Sequence, residues 1–171
     1  MTPHDFVARW QAADLSERAA CQSHFADLCS VLGQPKPTDV DPTGSWYAFE
    51  KGVDTADGKK GWADVWLKGK FGWEYKRKHR DLKAAYQQLQ KYREALENPP
   101  LLVVCDLNRF EVHTNFTGYA PKTYAFDLEG LKDPKNIQVL RHAFTELDKL
   151  WPDRMQEARR PSARSPTASP S

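Results

Sequence analysis

Gly61-Trp62-Ala63-Asp64-Val65-Trp66-Leu67-Lys68-Gly69-Lys70-Phe71-Gly72-Trp73-Glu74-Tyr75-Lys76 holds two apolar-rich runs around a short Lys-Gly-Lys turn, and it predicts a β-hairpin. Opposite residues of an antiparallel pair share a face, so the loop length sorts the side chains. A two-residue turn sets Asp64 against Trp73 and sends Glu74 to the other side. A three-residue loop over 68–70 pairs Leu67 with Phe71 and Asp64 with Glu74. In that register Ala63, Val65, Leu67, Phe71, Trp73 and Tyr75 form an apolar face. Asp64, Glu74 and Lys76 share the other, beside Trp62 and Trp66. The longer loop separates apolar from polar side chains, and the expected register is therefore the three-residue one.

Two carboxylates brought this close raise each other's pKa unless a cation lies between them. A hard divalent ion such as Mg²⁺ takes one or two carboxylates and completes its shell with water and substrate phosphate. A lysine alongside can orient an attacking water or steady charge growing on the phosphate. Asp64, Glu74 and Lys76 are therefore candidate catalytic residues for phosphodiester hydrolysis, the two acids doubling as metal ligands. An isolated Asp-x9-Glu-x-Lys pattern is also what an exposed Asp beside a structural Glu–Lys pair produces. Glu50 reads, on its position alone, as a surface residue at a strand end.

Outward from the hairpin, Leu82, Ala85, Leu89, Tyr92 and Leu96 make an apolar stripe at helical spacing, predicting a helix over 78–97 that Asn98-Pro99-Pro100 ends. Gln88 and Tyr92, at i and i+4, project from one side of it. Leu101 to Cys105 is apolar throughout, as in the middle of a covered sheet. Further strands are predicted near 46–50, 109–115 and 122–127, and a helix near 134–149. Residues Thr2 to Gly33 read as helical, with a fresh helix start at Ser16-Glu17 and a stop at Gly33 and Pro35-Lys36-Pro37. The expected organisation is an N-terminal helical segment over 1–38, an α/β core over 39–151 and a disordered Arg/Ser/Pro-rich tail over 152–171.

The chain has 171 residues and a net charge of only +2, one domain's worth of sequence. The charge is unevenly placed: residues 59–93 hold eleven Lys or Arg against three acids, a local +8, and the remainder carries −6. A basic middle on an acidic frame suits phosphate, and Lys68, Lys70, Arg77, Lys78, Arg80 and Lys83 are the candidate backbone contacts to double-stranded DNA. The five histidines and three cysteines show no zinc spacing. No glycine-rich nucleotide loop occurs. Absence of a signal pattern or bilayer-length apolar run, with unpaired cysteines, leads us to expect a cytoplasmic chain without membrane contact.

The Asp…Glu-x-Lys hairpin followed by a helix bearing Gln-x-x-x-Tyr resembles the PD-(D/E)xK nuclease superfamily, in particular its RecB-like branch. Ala63 stands where the superfamily's name has proline, and the carboxylate is unchanged. Longer stretches resemble the N-terminal domain of MmeI-type restriction–modification enzymes: Phe6 to Gly33, Phe49-Glu50-Lys51-Gly52, Gly61 to Lys76, Asp81 to Leu89, Tyr92 to Asp106, and Glu111 to Phe116. The resemblance implies a mixed central sheet flanked by helices and a Mg²⁺-dependent DNA endonuclease domain with Asp64, Glu74 and Lys76 as its triad. It also implies Gln88 and Tyr92 as positioning residues, and it offers Glu50 a second reading as the earlier acid that some superfamily members add to the metal site. In that family the polypeptide continues into an adenine methyltransferase, which uses S-adenosylmethionine, and a target-recognition domain. This sequence lacks both, so a truncated, frameshifted or excised product is expected. The second reading is a DNA-binding or subunit-association module that serves a separate methyltransferase or specificity subunit without cutting alone.

Overall fold

A computed structural model describes residues 1–13, 18–77 and 81–151. The predicted tail, the helix start at Ser16-Glu17, and Lys78 and Arg80 lie outside these residues. Six strands form one sheet in chain order: β1 (Tyr47–Asp54), β2 (Lys60–Leu67), β3 (Phe71–Tyr75), β4 (Leu101–Cys105), β5 (Arg109–Thr114) and β6 (Thr123–Asp127). All neighbours are antiparallel except β3 and β4, which run parallel and are joined through helix α4 (Leu82–Tyr92). The sheet is thus mixed, as the family resemblance implies. Every residue of β4 is fully buried, which explains its unbroken apolar run.

Two apolar clusters cover the two faces. On one face, α1 (Pro3–Gln11), α2 (Arg18–Leu32) and α5 (Pro134–Thr145) pack Phe6, Phe25 and Leu140 against Val65, Phe71, Trp73 and Val103. On the other, α4 sets Leu82, Ala85 and Leu89 against Leu102 and Val104. Helices α1 and α2 therefore pack directly on the sheet. Helix α2 ends at Leu32, just before Gly33, and Pro37 opens a short helix, α3 (Pro37–Val40), where its fixed φ suits the first turn.

Local chemistry sets the helix ends. Thr2 and Asp5 form a capping box on α1, Asp81 accepts from the Lys83 N–H at 2.9 Å to start α4, and Asp133 accepts from Lys135 to start α5. Helix α4 is shorter than the predicted 78–97. Its chain closes through Asn98 N–H to Arg93 O and Glu97 N–H to Glu94 O, with Glu97 at φ 65°, a Schellman-type stop. Leu96 stays under the same face because its N–H still reaches Tyr92 O. The last predicted helix ends at Thr145 and passes into a separate 3-10 turn, Leu147–Leu150.

His24 of α2 is fully buried among the rings of Phe6, Trp10, Tyr75 and Phe110, its Nδ1 2.8 Å from the Tyr75 hydroxyl. Burial pushes its pKa down to about 3. Below the ordinary value of about 6.5 the unfolded chain takes up a proton that the folded chain refuses, so this contribution to stability falls with pH through that window. Between about pH 7 and pH 5 the loss is about 2 kcal/mol. In urea unfolding at the two pH values, His24→Leu should show a drop smaller than the wild type's by about that amount. Equal drops would refute the linkage.

Candidate active site

The β2–β3 ladder pairs Leu67 with Phe71, Trp66 with Gly72 and Val65 with Trp73, which is the three-residue-loop register. One step further the ladder opens and Asp64 Oδ2 accepts the Tyr75 N–H at 2.7 Å. Phe71, Trp73 and Tyr75 point into the α1–α2–α5 cluster, so Glu74 falls on the face covered by α4. Glu74 is buried at 7% exposure, Asp64 and Lys76 are half-buried, and the Asp64 charge acts on the Glu74 carboxyl.

The electrostatics follow from that placement. Burial first, then the Asp64 charge, pushes the Glu74 pKa up to about 9, with Lys76 opposing. Burial also raises that of Asp64, against the Tyr75 N–H and Lys76. The pair thus holds one proton between its two carboxyl groups when no cation is present. Glu74 Oε2 is buried without a hydrogen-bond partner among the described residues. An orphaned carboxylate oxygen in a strained acidic pair is a fit for a hard divalent cation, which would replace the shared proton and supply the missing partner.

Glu50 sits opposite Asp64 by the β1–β2 register, between the pairs Phe49–Val65 and Lys51–Ala63. Its backbone is in the left-handed region, at φ 51°, and Gln22 Nε2 of α2 donates to its Oε1 at 3.4 Å. The Glu50 charge raises the pKa of Asp64. Even so, no group of three or more His, Cys, Asp or Glu able to hold a metal ion is gathered among the described residues. The structure supports a carboxylate pair, with Glu50 beside it.

Both strands change face at this level. Tyr47 and Val65 lie in the α1–α2–α5 cluster, whereas Val53 and Ala63 lie under α4. Ala63 therefore does not belong to the apolar face assigned from alternation, because the pleat is interrupted where Glu50 takes its left-handed turn. Trp66 does share the face of Glu74, but α4 covers that face: Trp66 is 1% exposed and donates its Nε1–H to Leu96 O at 3.0 Å. It lines no groove, while Trp62, farther along the hairpin, is 46% exposed.

Helix α4 contributes Gln88 and Tyr92 as a relay. Lys76 Nζ donates to Gln88 Oε1 at 3.4 Å, and Gln88 Nε2 donates to the Tyr92 hydroxyl at 3.1 Å. Gly61 leaves room for the Tyr92 ring, since a Cβ there would push the Tyr92 hydroxyl from its place beside Gln88. Of the other candidate DNA contacts, Arg77 is exposed and lines a recess with Lys76, and Lys83 is exposed on α4. Lys68 and Lys70 flank the turn at the far end of the hairpin, where Lys68 pairs with Glu97 at 3.7 Å. Sequence reasoning missed what α2 brings: Gln22 on Glu50, and His24 on Tyr75, whose N–H holds Asp64. It carried no signal for them, since they arise from contacts between segments distant in sequence.

A six-stranded mixed sheet with helices on both faces and an acidic pair at the opened end of a central hairpin defines an α/β protein with a restriction-endonuclease-like core. The model of the family described as MmeI, N-terminal domain, matches residues 1–162. The chain belongs to that family, whose domain is one of restriction–modification systems. A search of curated proteins finds no match. Among the described residues no helix is long and apolar enough to cross a membrane.

Proposed function

We propose that the chain is a Mg²⁺-dependent DNA endonuclease domain of an MmeI-like restriction–modification system, hydrolysing a phosphodiester with Asp64, Glu74 and Lys76. The observation that carries this reading is the buried Asp64–Glu74 pair with an unpartnered Glu74 oxygen and a lysine beside it. Mg²⁺ bound to that pair would supply charge neutralisation at the scissile phosphate and a more acidic water.

The protein's own groups do the positioning. The Tyr75 N–H fixes the Asp64 carboxylate, and His24 fixes the Tyr75 ring from below. Gln88 holds the Lys76 ammonium at Nζ, where it orients the attacking water and steadies the charge that builds on the phosphate oxygens. Water adds to phosphorus, one P–O ester bond breaks, and the departing oxygen takes a proton. Burial of Glu74 keeps bulk water from screening these charges.

Supercoiled plasmid incubated with the chain should be nicked in Mg²⁺ and left intact in EDTA. Asp64→Ala should lower the rate by roughly 10³-fold with an unchanged circular dichroism spectrum. Undiminished nicking by the variant refutes the assignment. Salt-sensitive binding with no nicking by wild type favours the alternative, a DNA-holding module that works with a separate subunit.

A further inference from the structure

Beside the carboxylate pair lies a groove of about 710 Å³ between the β1–β2 turn and α4, lined among others by Lys59, Lys60, Gln87, Gln88, Lys91 and Tyr92. Its three lysines are exposed, and no salt bridge engages them among the described residues. Its single lining carboxylate, Asp57, is turned back onto its own turn, accepting from the Thr55 hydroxyl and the Lys59 N–H. The groove therefore offers three cationic groups and amide donors against one acid, Asp57, whose charge is shared between its own turn and Lys59. It adjoins the lysine of the site, because Gln88 lines it and also holds Lys76. It also continues past the site: a second recess of about 520 Å³, lined by Lys76, Arg77 and Asp81, shares Ala84 of α4 with the first.

We infer that this groove seats the sugar–phosphate backbone of one strand of duplex DNA and leads it to the Asp64–Glu74 pair, with Lys59, Lys60 and Lys91 touching the phosphates. The inference rests on the reading of the chain as a DNA-acting domain. Charge complementarity and the link through Gln88 to Lys76 select the occupant. Lysine–phosphate pairs of this kind fix register without reading bases, so the track is indifferent to sequence. Lys68 and Lys70 lie at the other end of the hairpin and do not take part. Lys68 pairs with Glu97 at 3.7 Å, and both lysines line a separate recess with Trp46 and Phe144 that shares no residue with the groove holding Gln88.

The test is fluorescence anisotropy of a labelled duplex in EDTA over a range of salt, on the full chain. For Lys59→Ala/Lys60→Ala/Lys91→Ala the slope of log K against log salt should fall in magnitude by about 2.7, roughly 0.9 for each phosphate that is no longer neutralised. Lys68→Ala/Lys70→Ala should keep the wild-type slope. The Mg²⁺-induced rise in melting temperature, which depends on the carboxylates, should persist in both variants. An unchanged slope in the triple variant overturns the inference, as does a reduced slope in the double variant alone or absence of salt-dependent binding in wild type. A wild-type chain that never nicks, but whose slope still falls in the triple variant, refutes the nuclease reading and leaves the groove standing.

Discussion

Glu74→Gln should abolish Mg²⁺-dependent cleavage and, in the same protein, raise the stability of the metal-free chain by about 2–3 kcal/mol at neutral pH. The two effects have one cause. In the folded chain the Glu74 carboxyl titrates at about 9, pushed up by burial and by Asp64; unfolded, it titrates near its ordinary value of about 4.5. Between those values the folded chain holds a proton that the unfolded chain has released. Raising the pH through that window therefore favours unfolding; the penalty is absent below about 4.5 and complete above about 9. Glutamine has the same shape and does not ionise. The gain should shrink towards pH 4.5, and urea unfolding in EDTA at mildly acidic and mildly alkaline pH measures it. Saturating Mg²⁺ should do for wild type what the substitution does without it: a ligand at 100 times its dissociation constant adds about 2.7 kcal/mol. Glu74→Gln should show little such gain. A variant as unstable as wild type without metal, and as responsive to Mg²⁺, would sink the cation site.

The parts of this arrangement legible in sequence are those where only one reading sorted the side chains. The 68–70 loop was one, because a shorter turn scatters Asp64 and Glu74. The run Leu101 to Cys105 was another, since a strand apolar on both faces belongs in the middle of a sheet. The face switch at Glu50 was not legible. A non-glycine residue at φ 51° follows no composition rule, and alternation carried through it puts Ala63 on the wrong face. Trp66 was placed on the correct side of the sheet, but sequence did not tell that α4 would close over it. Charge density along the chain singled out Lys68 and Lys70 as readily as Lys59 and Lys60. Only the folded neighbourhood separates them: Lys59 and Lys60 line the recess that Gln88 shares, whereas Lys68 meets Glu97.

The N-terminal helices are part of the site's construction. Asp64 would swing freely at the opened ladder were it not for the Tyr75 N–H, and Tyr75 is held in the core by His24 of α2. Gln22 from the same helix steadies Glu50. The family match over residues 1–162 spans both helices and sheet, consistent with a site that neither would hold alone.

Lys76→Ala should lower the cleavage rate by about 10²–10³-fold, the range for losing one group that stabilises developing charge, while tightening the response to Mg²⁺. The second half of this prediction separates a catalytic lysine from a structural one. Lys76 lowers the pKa of both Asp64 and Glu74, so its ammonium competes for the charge that a divalent ion would neutralise. Removing it leaves a more basic and less compensated carboxylate pair. Half-saturation should then occur at lower Mg²⁺, and the acid limb of the rate profile should move to higher pH. Folding should be little affected, since the side chain is half-buried at a strand end and its bond to Gln88 is a long 3.4 Å. Gln88→Ala should reproduce part of the rate loss without the Mg²⁺ effect, because it frees the ammonium but keeps the charge. Titrating Mg²⁺ against initial nicking rate for the three proteins distinguishes the roles. If rate and Mg²⁺ response weaken together in Lys76→Ala, the lysine supports the carboxylates' geometry and does no chemistry on the phosphate.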